Sequence, residues 1–109
     1  MTLGIIEVME NFLDRRRPPE HIRPKLDIGY RIEKQSVTIV EVHPKWTDPE
    51  IKEDYAVAKA TYVKTKDCWK VFWLRADLKW HAYQPNPSVP SLADFVRLVD
   101  EDKHACFWG

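Results

Sequence analysis

From Val57 to Tyr83 the sequence can be written as two facing β-hairpins whose side chains sort onto two surfaces, and this pattern constrains the fold more than any other feature of the chain. A two-residue turn at Ala76-Asp77 is expected to pair Trp73 with Trp80, Val71 with Ala82, Phe72 with His81 and Lys70 with Tyr83. A second turn at Lys66-Asp67 is expected to pair Tyr62 with Val71 and to set Ala60 opposite Trp73. One surface is then apolar, large side chains against small. The other interleaves lysines with rings.

An apolar sheet surface needs cover, and the two ends of the chain supply it. Ile5, Val8, Met9 and Phe12 recur at helical spacing behind Thr2, a candidate N-cap, which predicts a helix from about Leu3 to Arg16. Arg15-Arg16-Arg17 stand at its C-terminal end, where cations favour the helix dipole, and Pro18-Pro19 stop it. At the other end, Ser91 with Asp94 three residues on makes a near capping box ahead of Leu92, Phe95, Val96 and Val99. Asp100-Glu101-Asp102 suit the negative end of that helix poorly.

Between the helices, Leu26, Ile28, Tyr30 and Ile32 alternate with Asp27, Gly29 and Arg31 as a half-buried strand does. A turn near Lys34-Gln35 pairs Ile32 with Val37 and Tyr30 with Ile39 on a return strand from Ser36 to His43. Val40 and Val42 blur its parity and predict a bulge or partial cover. Residues 44 to 54, with Pro44 and Pro49, read as a loop, and strands follow near 56 to 64, 68 to 75 and 78 to 83. Pro85, Pro87 and Pro90 mark an extended connector. The expected fold is a single α+β domain over residues 1–109. An antiparallel sheet of about five strands carries an N-terminal and a C-terminal helix on one face. Its core should hold Tyr30, Ile32, Tyr62, Trp69, Val71, Trp73, Trp80 and Phe95.

Composition narrows the function classes. With 109 residues, 44% of them apolar, the chain can bury a core without disulfides or metals. Seventeen basic and seventeen acidic residues cancel, so no global field recruits polyanions. The distribution is uneven: six Lys or Arg stand between Lys59 and Lys79 against two acids. The first residues lack a basic stretch and an apolar run of signal-peptide or membrane-span length, so a cytoplasmic protein with no membrane partner is expected. Cys68 and Cys106, without a CxxC spacing, read as reduced thiols.

The open sheet surface is the first candidate site. Arg31, Lys59, Lys70, Phe72, Lys79, His81 and Tyr83 share one parity in the expected registers. Lysines beside rings suit single-stranded nucleic acid, because cations follow phosphates while rings stack on bases. A solvated face whose charges block edge association is the plainer reading of the same residues. Asp77, Lys79 and His81 form a second candidate, an acid, an amine and an imidazole on one side of a strand. They are expected about 6 to 7 Å apart, too far for direct proton relay. Asp77 also serves the turn. Metal ligation by His104 and Cys106 with His43 or His81 lacks the tight ligand pairs of structural zinc, and Glu50-x-Lys52 resembles the acid and lysine of metal-dependent nucleases only in a Pro-rich loop. No metal and no cofactor are expected. Trp46 and Phe107-Trp108 either fold back onto the sheet or mark a protein interface.

Arg17-Pro18-Pro19, Tyr30-Arg31-Ile32 with Gln35-Ser36-Val37, Ala58-Lys59 with Tyr62-Val63, Leu78-Lys79-Trp80-His81 with Tyr83 and Pro85, and the closing Phe107-Trp108-Gly109 carry a likeness. Together they resemble a family of small bacterial proteins, domain of unknown function number three thousand and twenty-four, from near Glu10 to the end. The resemblance implies a bacterial cytosolic protein without an established activity, and no functional residue is carried over from it. It also implies a more basic residue at His43 and a smaller turn residue at Lys34. The functional expectation is therefore a non-enzymatic binding module for an anionic partner, nucleic acid among them. A hydrolase or nuclease using Asp77, Lys79 and His81 is the alternative, and a protein-interaction domain the third reading. Oligomeric state is left open.

Overall fold

Met9 and Phe12, one helical turn apart, are fully buried against Val37, Ile39, Ala58, Ala60 and Val71, the inward side chains of three neighbouring strands. This contact joins the two layers of the computed structural model, which describes residues 2–108, and of Thr2 the backbone alone. The first helix is α1 (Thr2–Arg16). The strands are β1 (Asp27–Glu33), β2 (Ser36–Lys45), β3 (Asp48–Val63), β4 (Cys68–Leu74), β5 (Trp80–Ala82) and β6 (Ser88–Val89), and the second helix is α2 (Leu92–Glu101). All pairings are antiparallel in the order β1-β2-β3-β4-β5, and β6 pairs β4 beside β5. The expected α+β architecture is the observed one. The capping role expected of the Thr2 side chain lies outside the described residues, as does Gly109.

Of the four hairpins, three have a register that the sequence pattern specifies, and they differ in how closely it anticipates them. The first is as expected: Lys34 and Gln35 turn the chain, Ile32 faces Val37 and Tyr30 faces Ile39. Lys34 adopts a left-handed φ of 54°, a conformation that suits a smaller residue. The second turns through residues 64–67, with Asp67 at φ 47°, and pairs Tyr62 with Trp69, Ala60 with Val71 and Ala58 with Trp73. That is two residues away from the expected register, so no side chain changes face.

The third hairpin differs by one residue, and the consequence is larger. Arg75 and Lys79 close a three-residue loop in which the Leu78 N–H donates to the Arg75 carbonyl (2.8 Å) and Leu78 takes a left-handed φ of 62°. Trp80 thus pairs with Leu74, His81 with Trp73 and Ala82 with Phe72. The expected pairing of Trp73 with Trp80 is overturned. Trp80 leaves the core for the opposite face, and Tyr83 takes a core place, 2% exposed, with its ring 4.8 Å from Phe107. Of the other expected core residues, Trp69, Val71 and Phe95 are buried, while Tyr30, Ile32, Tyr62 and Trp73 pack half-buried around them.

The segment read as a loop at 44–54 is instead a two-stranded arm. β2 runs on to Lys45, β3 starts at Asp48, and Trp46-Thr47 join them. Each arm strand has a free edge, so a proline whose nitrogen points outward removes no ladder bond. The bulge expected around Val40 is present between Ile39 and Val40, where Val57 has no partner across the ladder. Trp46 does not fold back. It stands at the arm tip, 89% exposed.

Both helix ends are tied down by polar side chains. Ser91 caps α2, its Oγ accepting the Asp94 N–H at 3.2 Å. The acids at the far end are absorbed rather than left facing the helix dipole: Asp100 pairs with Arg15 of α1 (3.2 Å), and Asp102 is a left-handed C-cap. The Asp102 carboxylate accepts the backbone N–H groups of Phe107 (3.1 Å) and Trp108 (2.9 Å). The chain therefore doubles back, burying Phe107 and directing the Trp108 indole N–H to the Val99 carbonyl (2.8 Å). Arg16 lies over the Trp108 ring at 4.5 Å, and Arg17 clamps the first residue of β1 through two bonds to Asp27 (2.7 and 2.8 Å). Asp27 is held below the usual carboxylate range, first by that guanidinium bond. All three arginines of the run thus serve the fold.

Asp102→Ala is expected to cost about 2 kcal/mol of unfolding free energy, since two charge-assisted bonds to backbone donors are lost. Trp108 fluorescence in urea melts should show the tail released, and Asp102→Asn should recover part of the loss. A second expectation concerns alkali. The Tyr30 hydroxyl donates to Glu10 Oε2 at 2.7 Å, and that bond to a carboxylate, followed by burial, pushes its pKa from 10.0 up to about 12. A raised pKa means the contribution is complete below pH 10 and lost as pH rises through 12. Phenolate absorbance of the wild type minus Tyr30→Phe should isolate a tyrosine titrating near 12.

Candidate functional site

The sheet face turned away from the helices carries Arg31 on β1, Lys59 on β3, Lys70 and Phe72 on β4, and Trp80 on β5. Pleating puts them there. Arg31 is opposite Thr38, Thr38 opposite Lys59, Lys59 opposite Phe72 and Phe72 opposite Ala82, so one row crosses the sheet from β1 to β5. None of these side chains belongs to the helix-covered core.

At the centre of the row the Lys59 ammonium lies 5.2 Å from the Phe72 ring and 4.9 Å from the Trp80 ring. Trp80 reaches this position only because the β4–β5 loop holds one more residue than a tight turn. Two cavities flank the stack. One of about 400 Å³ is bounded by Arg31, Ser36, Thr38, Lys59 and Trp80, and one of about 350 Å³ by Lys66, Cys68, Lys70, Phe72 and Pro87. Arg31 is engaged by Glu33 (3.0 Å) and Asp54 (3.8 Å). Among the described residues, Lys59 and Lys70 have no ion-pair partner, so their charge is available to a ligand.

Four of the seven expected face residues, Arg31, Lys59, Lys70 and Phe72, are therefore together. His81 and Tyr83 are not: the one-residue register change turns His81 to the side of Trp73 and buries Tyr83. Burial, reinforced by the nearby Cys106 and Asp102, raises the Tyr83 phenol above its ordinary pKa. Lys79 stands exposed at the end of the β4–β5 loop. Trp80 is the residue the sequence pattern missed. A three-residue loop of this kind usually announces itself by glycine at the left-handed position, and here that position is Leu78.

The same loop brings Asp77 and His81 closer than strand spacing allows. Asp77 Oδ2 is 2.9 Å from His81 Nε2, and Asp77 Oδ1 accepts the Lys79 N–H at 3.0 Å. The imidazole bond, then the backbone bond, lowers the Asp77 pKa. An acid so placed fixes the imidazole ring, which is the arrangement of a general base and its orienting partner. The Lys79 ammonium makes no ion pair among the described residues.

Among the described residues, no three His, Cys, Asp or Glu side chains converge to hold a metal ion. His43 instead bonds Glu41 at 3.0 Å and meets the Tyr55 ring edge-on, and His104 sits 6.4 Å from the Tyr83 ring. Glu50 and Lys52 lie on β3 in the arm, with the Lys52 ammonium on the Pro24 carbonyl. Cys68 and Cys106 are free thiols. Burial raises the Cys106 pKa. No described helix is long and apolar enough to cross a membrane.

Leu78 is 79% exposed, so its side chain gains little from burial while its backbone is strained. Leu78→Gly is expected to raise stability by about 0.5 to 1 kcal/mol, read as a higher urea midpoint at unchanged slope.

Comparison with curated proteins and with solved structures gives no match. Comparison with protein families gives one over residues 3–109, spanning the helices, the sheet and the open face alike. The chain belongs to the family described as Domain of unknown function (DUF3024).

Proposed function

We propose that the chain is a cytoplasmic, non-enzymatic binding module whose open sheet face takes single-stranded nucleic acid. The observation that carries this reading is the Lys59 ammonium set between the Phe72 and Trp80 rings on a face without helix cover. A lysine on a flexible stem can swing to a phosphate and leave the ring beneath it to a base. Each such stack contributes about 1 to 3 kcal/mol and tolerates any base. Lys70, on the same face and without an ion-pair partner among the described residues, extends the track for the backbone. The neutral overall charge fits a local contact rather than long-range capture.

The experiment is a titration of oligothymidylate and oligouridylate into the protein at low salt, followed by tryptophan fluorescence. Trp80→Ala and Phe72→Ala should each weaken binding by about 1 to 3 kcal/mol. Lys70→Ala should reduce the log-log salt slope by about 0.7. His81→Ala, on the opposite face, should leave affinity unchanged. Absence of saturable quenching at low salt rejects the proposal. The Asp77–His81 contact favours a second reading, a nuclease in which His81 is the general base. Cleavage of the same oligonucleotides, abolished by His81→Ala, would establish it, and intact strands after long incubation would dismiss it.

A further inference from the structure

The cavity of about 400 Å³ on the β1 side of the open face is bounded by Lys59 and Trp80 at one end and by Arg31, Glu33 and Lys34 at the other. Pleating brings Glu33 there, two residues along β1 from Arg31. It is the one acid among the described residues that line the two open-face cavities, and Lys66 and Lys70 stand at the second cavity without one. An acid weakens the hold of such a face on phosphate, so it serves a ligand only where that ligand presents donors. Ser36, opposite Glu33, is bonded through its hydroxyl to Thr61 (2.8 Å), and Arg31 Nε pairs with Glu33 Oε1 at 3.0 Å. The carboxylate is thus oriented by Arg31 and remains exposed to the cavity.

Trp80 is the stacking wall of this cavity once Lys59 has swung to a phosphate, and Glu33 then meets the edge that the stacked base turns toward β1. Watson–Crick edges differ in what they give an acid. Guanine has N1–H and the N2 amino group side by side, two donors at the spacing of the two carboxylate oxygens. Adenine and cytosine set one amino donor beside a ring nitrogen that accepts, and uracil and thymine set one N–H between two carbonyl oxygens. In each of these an acceptor on the base faces an acceptor on the protein. Guanine also carries O6 next to N1, and Arg31 and Lys34 line the cavity with donors for it. The Lys34 ammonium makes no ion pair among the described residues.

We propose that this cavity selects guanine, with Glu33 accepting N1–H and N2–H of a base stacked on Trp80 and Arg31 and Lys34 supplying the donor to O6. The inference rests on the reading of the face as a single-strand binder and adds a base preference at one position along the strand. Stacking tolerates any base, and the carboxylate does not.

Tryptophan fluorescence titrations of the full chain at low salt test this, with short oligouridylates that carry one central guanosine, inosine or adenosine, or none. The guanosine strand should bind about tenfold more tightly than the all-uridine strand. Inosine, which keeps N1–H and O6 but lacks the N2 amine, should lose most of that gain. Glu33 is exposed on an outer strand, so Glu33→Gln leaves the fold intact. Its carboxamide sets one acceptor beside one donor, and the guanosine strand should fall to the level of the adenosine strand or below. Equal affinity for the guanosine and all-uridine strands, inosine binding as tightly as guanosine, or an undiminished guanosine preference in Glu33→Gln would overturn the inference and leave the binding face standing. Absence of saturable quenching with every strand rejects both.

Discussion

The alternation of β4 is the constraint on which the other strands depend. Trp69, Val71 and Trp73 point toward the helices, and Lys70 and Phe72 point away. Every neighbouring row inherits its facing from this strand through a turn. Because the pleat repeats every two residues, a loop that is two residues longer leaves the surfaces intact, whereas a loop one residue longer exchanges them. Both cases occur here. The β3–β4 loop is displaced by two and preserves the pattern, and the β4–β5 loop is displaced by one and reverses a strand.

What that reversal does to the core is compensated from outside the sheet. With Trp80 turned outward, the place beside Val71 is filled by Tyr83, which meets Phe107 of the returning C-terminal segment. The return itself depends on Asp102, an acid at a helix end where acids are ordinarily unfavourable. Its left-handed backbone ends the helix, and its carboxylate then satisfies two N–H donors of the tail. Exposed ion pairs contribute little each, about 0 to 1 kcal/mol. The two-point Arg17–Asp27 clamp and the stacking of Arg16 on Trp108 matter more for where the helices end than for net stability.

The open face follows from the same arrangement. Both helices pack onto one side of the sheet, so the other side is left to solvent and to any ligand. Arg31, Lys59, Lys70 and Phe72 were legible as a group because they lie on strands whose parity relative to β4 survives the errors of register. His81 and Tyr83 were not, since a single left-handed residue, Leu78, decides which way they point. The contact between Asp77 and His81 was hidden for the same reason: strand spacing keeps them apart, and only the wider loop brings them together.

Hydrophobic period and turn punctuation, both local properties, determined from the sequence alone that two amphipathic helices flank an antiparallel sheet, and which residues of β1 to β4 look inward. They could also place the first turn at Lys34-Gln35, where both strands carry matching apolar sets. Tertiary structure alone decided the facing of β5, the extension of β2 and β3 into an arm with Trp46 exposed at its tip, and the docking of Phe107 and Trp108. The physical reason is that each of these turns on a small free-energy difference between backbone conformations. A leucine in the left-handed region or an acid closing a helix is disfavoured locally, and only packing across the whole fold makes it the better choice.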